Sequence, residues 1–249
     1  MGIEPLLLIG IVLAMFLVQV VRAAHNALTD RVEYALLTMD GAGEHAKRRA
    51  MAPEAIPVRA LVPVNPVDAG RPAFLIPDND ARAWTQDRPG GLLVRMVASR
   101  WPGPARRAMR LATGVHQRRI RHHHKWLAPS ILVLVTLPRN LVPGLLISPR
   151  PLVVKPHEQL DLHSPVLDHV LRVATDQPDR TRRLLLDAQV HEPLIEMMAM
   201  HPLSVVTGQV VALWCTQAVN DPEPLVQLAE EVARALLQAT EHDDDQLGR

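Results

Sequence analysis

Aromatic side chains are scarce in this chain. Phe, Trp and Tyr together make up 3% of its 249 residues, so a folded core has to be built mainly from aliphatic side chains. Proteins that bind single-stranded nucleic acid stack the bases on several aromatic rings, and the tryptophans near the most basic stretch are too few and too scattered for such a platform. The composition therefore disfavours nucleic acid as a partner.

Cysteine is almost absent as well, since Cys215 is the only one in the sequence. A single thiol excludes an intramolecular disulfide and also excludes a zinc site built from paired cysteines. The neighbouring Leu213 and Trp214 indicate that this thiol is buried.

Sequence motifs of catalysis are missing too. His191-Glu192 lacks the second histidine of the helical zinc-protease motif, and Gly90-Gly91 stands without the rest of a phosphate-binding loop. The serines do not occur in a glycine-flanked nucleophile elbow. We therefore expect a protein that is not an enzyme and has no cofactor.

The longest apolar run of the chain lies near its N-terminus. Residues 6–21 carry no charge, and Arg22 follows directly. A helix rises about 1.5 Å per residue and a bilayer core is about 30 Å thick, so this run, extended by Ala23 and Ala24, predicts a transmembrane helix over residues 5–24. Basic residues follow the run and none precedes it, which disfavours a cleavable signal peptide. By the positive-inside rule, the same asymmetry predicts an inner-membrane protein with a cytoplasmic C-terminal domain.

Composition divides the remainder into four segments. Apolar residues at helical spacing predict a juxtamembrane helix over residues 25–52. Residues 53–113 are rich in proline and then in arginine, and are predicted to be a linker with short helices. Residues 114–240 form the predicted folded domain, and residues 241–249 an acidic tail.

The order of patterns in the domain predicts an α+β fold. Strand patterns come first and helical patterns follow, unlike the regular alternation of a doubly wound sheet. We expect a small mixed or antiparallel sheet with helices packed on one side. The predicted strands cover 57–67, 115–123, 131–137, 166–174 and a hairpin over 203–215 that turns at Gly208. The predicted helices cover 91–100, 105–113 closed by Gly114, a helix opened by Pro178, 190–200 and 225–237.

This order resembles that of uncharacterised bacterial single-pass membrane-anchored proteins with a C-terminal α+β domain of unknown function. The likeness covers about half of the chain and implies an architecture without implying an activity. It is carried by Gly114, Leu137-Pro138, the stretch Leu167 to Val173 followed by Asp176, the segment Arg182 to Leu185, the hairpin Val205 to Leu213 with Gly208, and the helix Leu225 to Leu237.

The twelve histidines of the chain provide candidate metal ligands. Adjacent histidines on a strand point to opposite faces, so the triplet 122–124 is a poor chelator. Asp161 and His163 lie two residues apart, on one face of an extended segment, with His169 close in sequence. These three residues are the candidate metal site, and a membrane-tethered metal-dependent enzyme is the alternative function that they would support.

Residues 88–125 are strongly basic and contain no acidic residue. Such a stretch binds anionic lipid, phosphates or an acidic protein surface when its charges are exposed. The candidate binding residues are Arg106, Arg107, Arg118, Arg119 and Arg121.

The sequence as a whole predicts a non-enzymatic single-pass membrane protein. Its cytoplasmic α+β domain is expected to bind a protein partner, or to scaffold an assembly at the membrane. The expected partners are the membrane and a protein, which is either a different chain or a second copy. Binding of anionic lipid or nucleic acid through residues 88–125 stays an alternative.

Overall fold

The computed structural model describes residues 4–54, 81–100, 102–114, 129–149 and 159–247. These residues form an α+β fold, so the predicted class is confirmed. The helices are α1 (Glu4–Arg48), α2 (Pro102–Thr113), α3 (Pro165–Val170), α4 (Pro178–Leu186), α5 (Ala188–Met200) and α6 (Glu223–Leu247). The strands are β1 (Ala52–Pro53), β2 (Ala81–Arg88), β3 (Leu92–Ser99), β4 (Ser130–Thr136), β5 (Leu146–Pro149), β6 (Leu171–Ala174), β7 (Val205–Thr207) and β8 (Val210–Cys215).

The described strands join in one eight-stranded sheet. Their order is β1-β2-β3-β4-β8-β7-β5-β6, and each neighbouring pair runs antiparallel. β4 lies between β3 and β8, where Leu132 is opposite Val97 on one side and Trp214 on the other. Its sequence, SILVLVT, is almost continuously apolar because both of its faces are buried.

Helices cover both faces of this sheet. Ile131 and Val133 of β4 point into a core shared with α1, α4, α5 and α6. Leu132 and Leu134 point to the other face, where they pack with Trp214 and with α2. The predicted small sheet with helices on one side is therefore wrong, because α2 adds a layer on the second face.

The segment predicted to be a linker contributes to the sheet. β2 pairs with β3 along its whole length, from Ala81 opposite Ser99 to Arg88 opposite Leu92, and α2 follows. The helix predicted over 91–100 is thus a strand. Its apolar spacing suits a helix locally, but pairing with β2 and β4 decides the conformation.

The N-terminal prediction is also corrected. α1 is one helix across the segments predicted as a transmembrane helix (5–24) and a juxtamembrane helix (25–52). Within the described ranges, no helix combines the length and the apolarity required of a membrane span. The uncharged run 6–21 has sixteen residues, a helical length of about 24 Å, whereas a hydrocarbon core of about 30 Å takes about 20 residues. The predicted transmembrane helix and the inner-membrane localisation that depended on it are wrong.

The remaining predicted elements divide into three groups. β4, the β7–β8 hairpin, α4, α5, α6 and the termination of α2 before Gly114 are confirmed, and Gly114 has a φ of +68°. The strand predicted over 166–174 is correct only for β6, because its first part is α3. The strands predicted over 57–67 and 115–123 lie outside the described residues.

The start of α3 shows why that prediction failed. Ser164 is the N-cap, and its Oγ accepts a hydrogen bond from the backbone N–H of Leu167 at 3.5 Å. Pro165 occupies the first turn, where its missing N–H costs nothing. This Ser-Pro start signal outweighs the alternation of apolar and polar residues that follows it.

Candidate functional site

The candidate metal ligands do not converge. Asp161 accepts a hydrogen bond from the backbone N–H of His163, and its Oδ1 lies 3.4 Å from Nδ1 of that histidine. Both side chains are about 70% exposed, and His169 is exposed on α3. No group of three or more His, Cys, Asp or Glu side chains in the described part of the chain is arranged to hold a metal ion.

The nearby Asp168 has a structural role. Its two carboxylate oxygens accept hydrogen bonds from the backbone N–H groups of Leu162 at 3.0 Å and Ser164 at 3.1 Å. These bonds hold the turn before α3, so the carboxylate is already engaged by the backbone.

Only one of the candidate arginines can be placed with its side chain. Arg106 is half-buried on α2, and its buried Nε has no hydrogen-bond acceptor in the part of the chain that the structure describes. The side chain of Arg107 and the residues Arg118, Arg119 and Arg121 lie outside what the structure describes.

A pair of buried donors lies on the same face of the sheet as α2. Ser148 of β5 is directly opposite Arg172 of β6. Neighbouring residues on each strand point into the core on the other face, so this pair faces the α2 side. Ser148 is 1% exposed, and among the described residues neither its Oγ nor the Nε of Arg172 has a hydrogen-bond partner.

Ionisable side chains gather where the end of α1 meets the start of α6. His45 is completely buried, with Nδ1 3.3 Å from Oε2 of Glu223 and 3.9 Å from Oδ1 of Asp221. Neither ring nitrogen reaches hydrogen-bond geometry with any group of the described residues. The imidazole therefore lies beside two carboxylates with no bond to either.

Two arginines complete this cluster. Arg48 donates to Asp221 at 2.8 Å, and Arg49 donates through Nε to Glu223 at 2.7 Å. Burial lowers the pKa of His45, Asp221 opposes that shift, and Arg49 and Arg48 lower the pKa further. We call His45, Arg48, Arg49, Asp221 and Glu223 the α1 docking network.

The docking network continues onto the sheet. Gln86 of β2 donates to the backbone carbonyl of Arg49 at 2.7 Å. Arg88 at the end of β2 donates to Glu230 of α6 at 2.8 Å, and Arg234 also pairs with Glu230. Glu230 is 5% exposed, so its two arginine partners stabilise a carboxylate that is nearly removed from water.

A second buried ion pair lies on β3. Nε of Arg95 is 3.8 Å from Oε2 of Glu54, and both side chains are more than four-fifths buried. Burial raises the pKa of Glu54, an effect that Arg95 opposes. Burial likewise lowers the pKa of Arg95, opposed by Glu54.

Close packing also fixes the second half of α1. The Thr38 hydroxyl accepts a hydrogen bond from the backbone N–H of Val219 at 3.2 Å, which ties α1 to the segment before α6. A Cβ placed on Gly41 would lie 2.1 Å from the carbonyl oxygen of Asn220, so the two backbones are in direct contact. The apolar residues that α1 buries against the domain are Ala35, Met39, Ala42 and Ala46.

The first half of α1, in contrast to the packed second half, contains a run of exposed residues. Every residue from 16 to 23 is exposed, although most of them are apolar. The exposed fractions are 67% for Phe16, 64% for Leu17, 63% for Val18, 48% for Val20 and 61% for Val21. Soluble monomers rarely leave so contiguous an apolar surface uncovered, and such surfaces mark interaction sites.

The docking network holds α1 in position, and two reactive side chains, His45 and Cys215, are poorly suited to catalysis. His45 is fully covered, so a substrate cannot reach its ring nitrogens. Burial raises the pKa of the Cys215 thiol, which keeps it in the protonated form that is a poor nucleophile. The site is therefore best described as a docked helix with an exposed apolar extension.

Sequence analysis does not predict the buried ion pairs beside the docking network. Arg88 and Arg95 belong to the basic stretch 88–125, yet each pairs with a buried carboxylate. A signal was present in β3, where Arg95 interrupts an otherwise apolar run and so required a buried acidic partner. Its identity, Glu54, could not be read from spacing.

Comparison of the chain with protein-family models, with curated proteins and with solved structures finds no match. The resemblance to bacterial membrane-anchored proteins is untested by any relative. The function has to be argued from the geometry alone.

Proposed function

We propose that this chain is a non-enzymatic scaffold whose α+β domain presents α1 to a protein partner. The observation that carries this proposal is the contiguous exposed apolar surface over residues 16–23, on a helix whose other half is firmly docked. Covering that surface removes apolar area from water, which is the main favourable term in protein association.

The docking network supports the proposal because it fixes the base of the helix. Ion pairs from Arg48 and Arg49 join α1 to the start of α6, and Gly41 allows the helix to approach Asn220 closely. A helix held in this way loses less conformational freedom on binding, so more of the binding free energy is retained.

Site-specific photo-crosslinking in the source cells tests the proposal. A photoreactive phenylalanine analogue replaces Phe16 in one variant and the exposed Gln227 of α6 in the matched control. We expect crosslinked protein species from position 16 and none from position 227. Two outcomes would contradict the proposal. One is that the position-16 variant yields no crosslinked species, and the other is that both positions yield the same species.

A second candidate function is the binding of a small oxyanion on the α2 face of the sheet. The observation that favours it is that Ser148 and Arg172 lie opposite each other, and that Ser148 Oγ and Arg172 Nε are buried donors for which the described residues supply no acceptor. A phosphate or carboxylate oxygen supplies the acceptors that such donors lack, and bonds of this kind to an ion are among the strongest in proteins.

Calorimetric titration with inorganic phosphate tests this candidate. We expect saturable binding that is lost in Arg172→Gln and Ser148→Ala and retained in Arg82→Gln, which alters an exposed strand arginine. The absence of binding by the unmodified chain, or an equal loss in Arg82→Gln, would exclude the site.

A further inference from the structure

Exposed residues of α1 repeat with the spacing of a coiled coil. Six exposed residues of α1 are separated by alternating steps of four and three residues, apart from one step of seven that passes over residue 27. They are Phe16, Val20, Ala23, Asp30, Tyr34 and Leu37. We call these six residues the heptad stripe.

The same spacing continues in the sequence on both sides of that gap. Ala27 fills the missing position, and Leu6, Ile9 and Leu13 extend the series towards the N-terminus. An apolar repeat of 3.5 residues is shorter than the 3.6-residue helical turn, so two helices that keep such a seam in contact wind around each other with a left-handed twist.

The heptad stripe faces away from the apolar residues that dock α1, and it ends at Leu37 because the next position of the repeat, Gly41, contacts the backbone of Asn220. At about 100° per residue, the stripe near Tyr34 and Leu37 lies roughly 140° around the helix from the docked residues Ala35, Met39 and Ala42. Another helix can therefore approach the stripe as far as Leu37 without displacing the contacts of Ala35, Met39 and Ala42.

The exposed area of the stripe is sufficient for an interface with α1 of a second copy of the chain. Specific interfaces bury about 1,200 Å² or more in total, and aromatic side chains bury about 150–250 Å² each when fully covered. Phe16 and Tyr34 are 67% and 53% exposed, so two copies bring four rings, with the aliphatic stripe residues adding the remainder. Asp30 is the one polar residue of the stripe, and a single polar core position is compatible with a coiled coil while it restricts register.

We propose that the heptad stripe binds the stripe of a second copy of this chain, so that α1 forms a two-helix coiled coil. An identical helix matches the stripe in period, length and near absence of charge. This inference rests on the proposed function, because it names the partner of the same exposed helix.

The test compares two valines of equal size on the free half of α1. Val20 belongs to the stripe, whereas Val18 is on the far side of the helix, and they are 48% and 63% exposed. Analytical ultracentrifugation of the full chain measures the dimer dissociation constant for the unmodified chain, Val20→Glu and Val18→Glu. Both variants add the same charge and neither touches the domain, so circular dichroism should show the same folded state for all three.

We expect a dimer in the unmodified chain and in Val18→Glu, and at least a tenfold weaker dimer in Val20→Glu. Equal weakening in both variants would overturn the inference, because it would indicate association through any apolar surface of the helix. A monomer in the unmodified chain would overturn it as well.

The crosslinking experiment separates this inference from the proposed function. A monomeric chain that crosslinks through position 16 to a different protein overturns the homodimer and leaves the proposed function standing. A monomeric chain without crosslinks overturns both. A crosslinked species at twice the chain mass, containing only this sequence, supports both.

Discussion

Gly41 of α1 lies in direct backbone contact with Asn220, the residue that precedes the acidic start of α6. A Cβ at position 41 would be 2.1 Å from the Asn220 carbonyl oxygen and 2.8 Å from its carbonyl carbon. Because the obstacle is backbone, rotation of a side chain cannot relieve it. This contact brings His45, one turn further along α1, and Arg49, directly after the end of α1, beside Glu223.

Gly41→Ala should destabilise the docked helix, although alanine is the better helix former. The propensity gain is at most about 1 kcal/mol, whereas overpacking of this kind costs about 1–3 kcal/mol. Gly43→Ala is the matched control, since a Cβ there meets nothing within 4 Å. Chemical denaturation should give a lower free energy of unfolding for Gly41→Ala and an unchanged or higher one for Gly43→Ala. Equal values for the two variants would refute the close approach.

Docking of α1 should weaken as the pH falls below about 6.5. Burial lowers the pKa of His45 in the folded chain, so the unfolded chain takes up a proton first and stability declines from the unfolded pKa down through the folded one. His45→Gln removes this proton uptake. The free energy of unfolding of the variant should therefore fall less between pH 7 and pH 5 than that of the unmodified chain. Parallel pH profiles would show that His45 is not buried in its neutral form.

The parts of the fold that sequence reasoning predicted correctly are those with local signals. The hairpin at Gly208 has a glycine turn between two apolar runs, and α2 ends at Gly114, whose positive φ suits a residue without a side chain. β3 lacked such a signal, because burial of both faces removes the alternation that identifies a strand.

The two buried ion pairs were beyond sequence reasoning for a different reason. Glu54 directly follows β1 whereas Arg95 lies on β3, and Arg88 and Glu230 are 142 residues apart. Only the pairing of β2 with β3 and the packing of α6 on the sheet bring these charges together. The apolar run of α1 is evident in the sequence, but its sixteen uncharged residues are shorter than the stretch of about 20 that a bilayer requires.

Removing the carboxylate of Glu230 should lower the free energy of unfolding much more than removing the carboxylate of the neighbouring Glu231. Glu230→Ala leaves Arg88 in a mostly buried position without its partner, and loss of one member of a buried pair costs about 3–5 kcal/mol. We expect a loss at the lower end of this range, about 3 kcal/mol, because the second partner, Arg234, is half exposed and water can replace the lost carboxylate there. Glu231→Ala, at an exposed position on the same helix, should change the free energy of unfolding by less than about 0.5 kcal/mol. A small effect in both variants would mean that the Arg88 pair is open to water.

Glu54 should produce a pH dependence of the opposite sign to that of His45. Burial raises its pKa in the folded chain, so Glu54 stays protonated to a higher pH in the folded chain than in the unfolded chain. The stability that this protonation provides is fully present below the unfolded pKa of about 4.5 and is lost as the pH rises through the folded pKa. In Glu54→Gln the side chain keeps its shape and stays neutral. Arg95 faces a neutral partner both in this variant and in the unmodified chain at low pH, so the two proteins should unfold with similar free energies near pH 4. The variant should become the more stable one as the pH rises to 7, and urea denaturation at a series of pH values measures the difference. A variant that is less stable than the unmodified chain at pH 7 would show instead that attraction to Arg95 outweighs the burial of the Glu54 carboxylate.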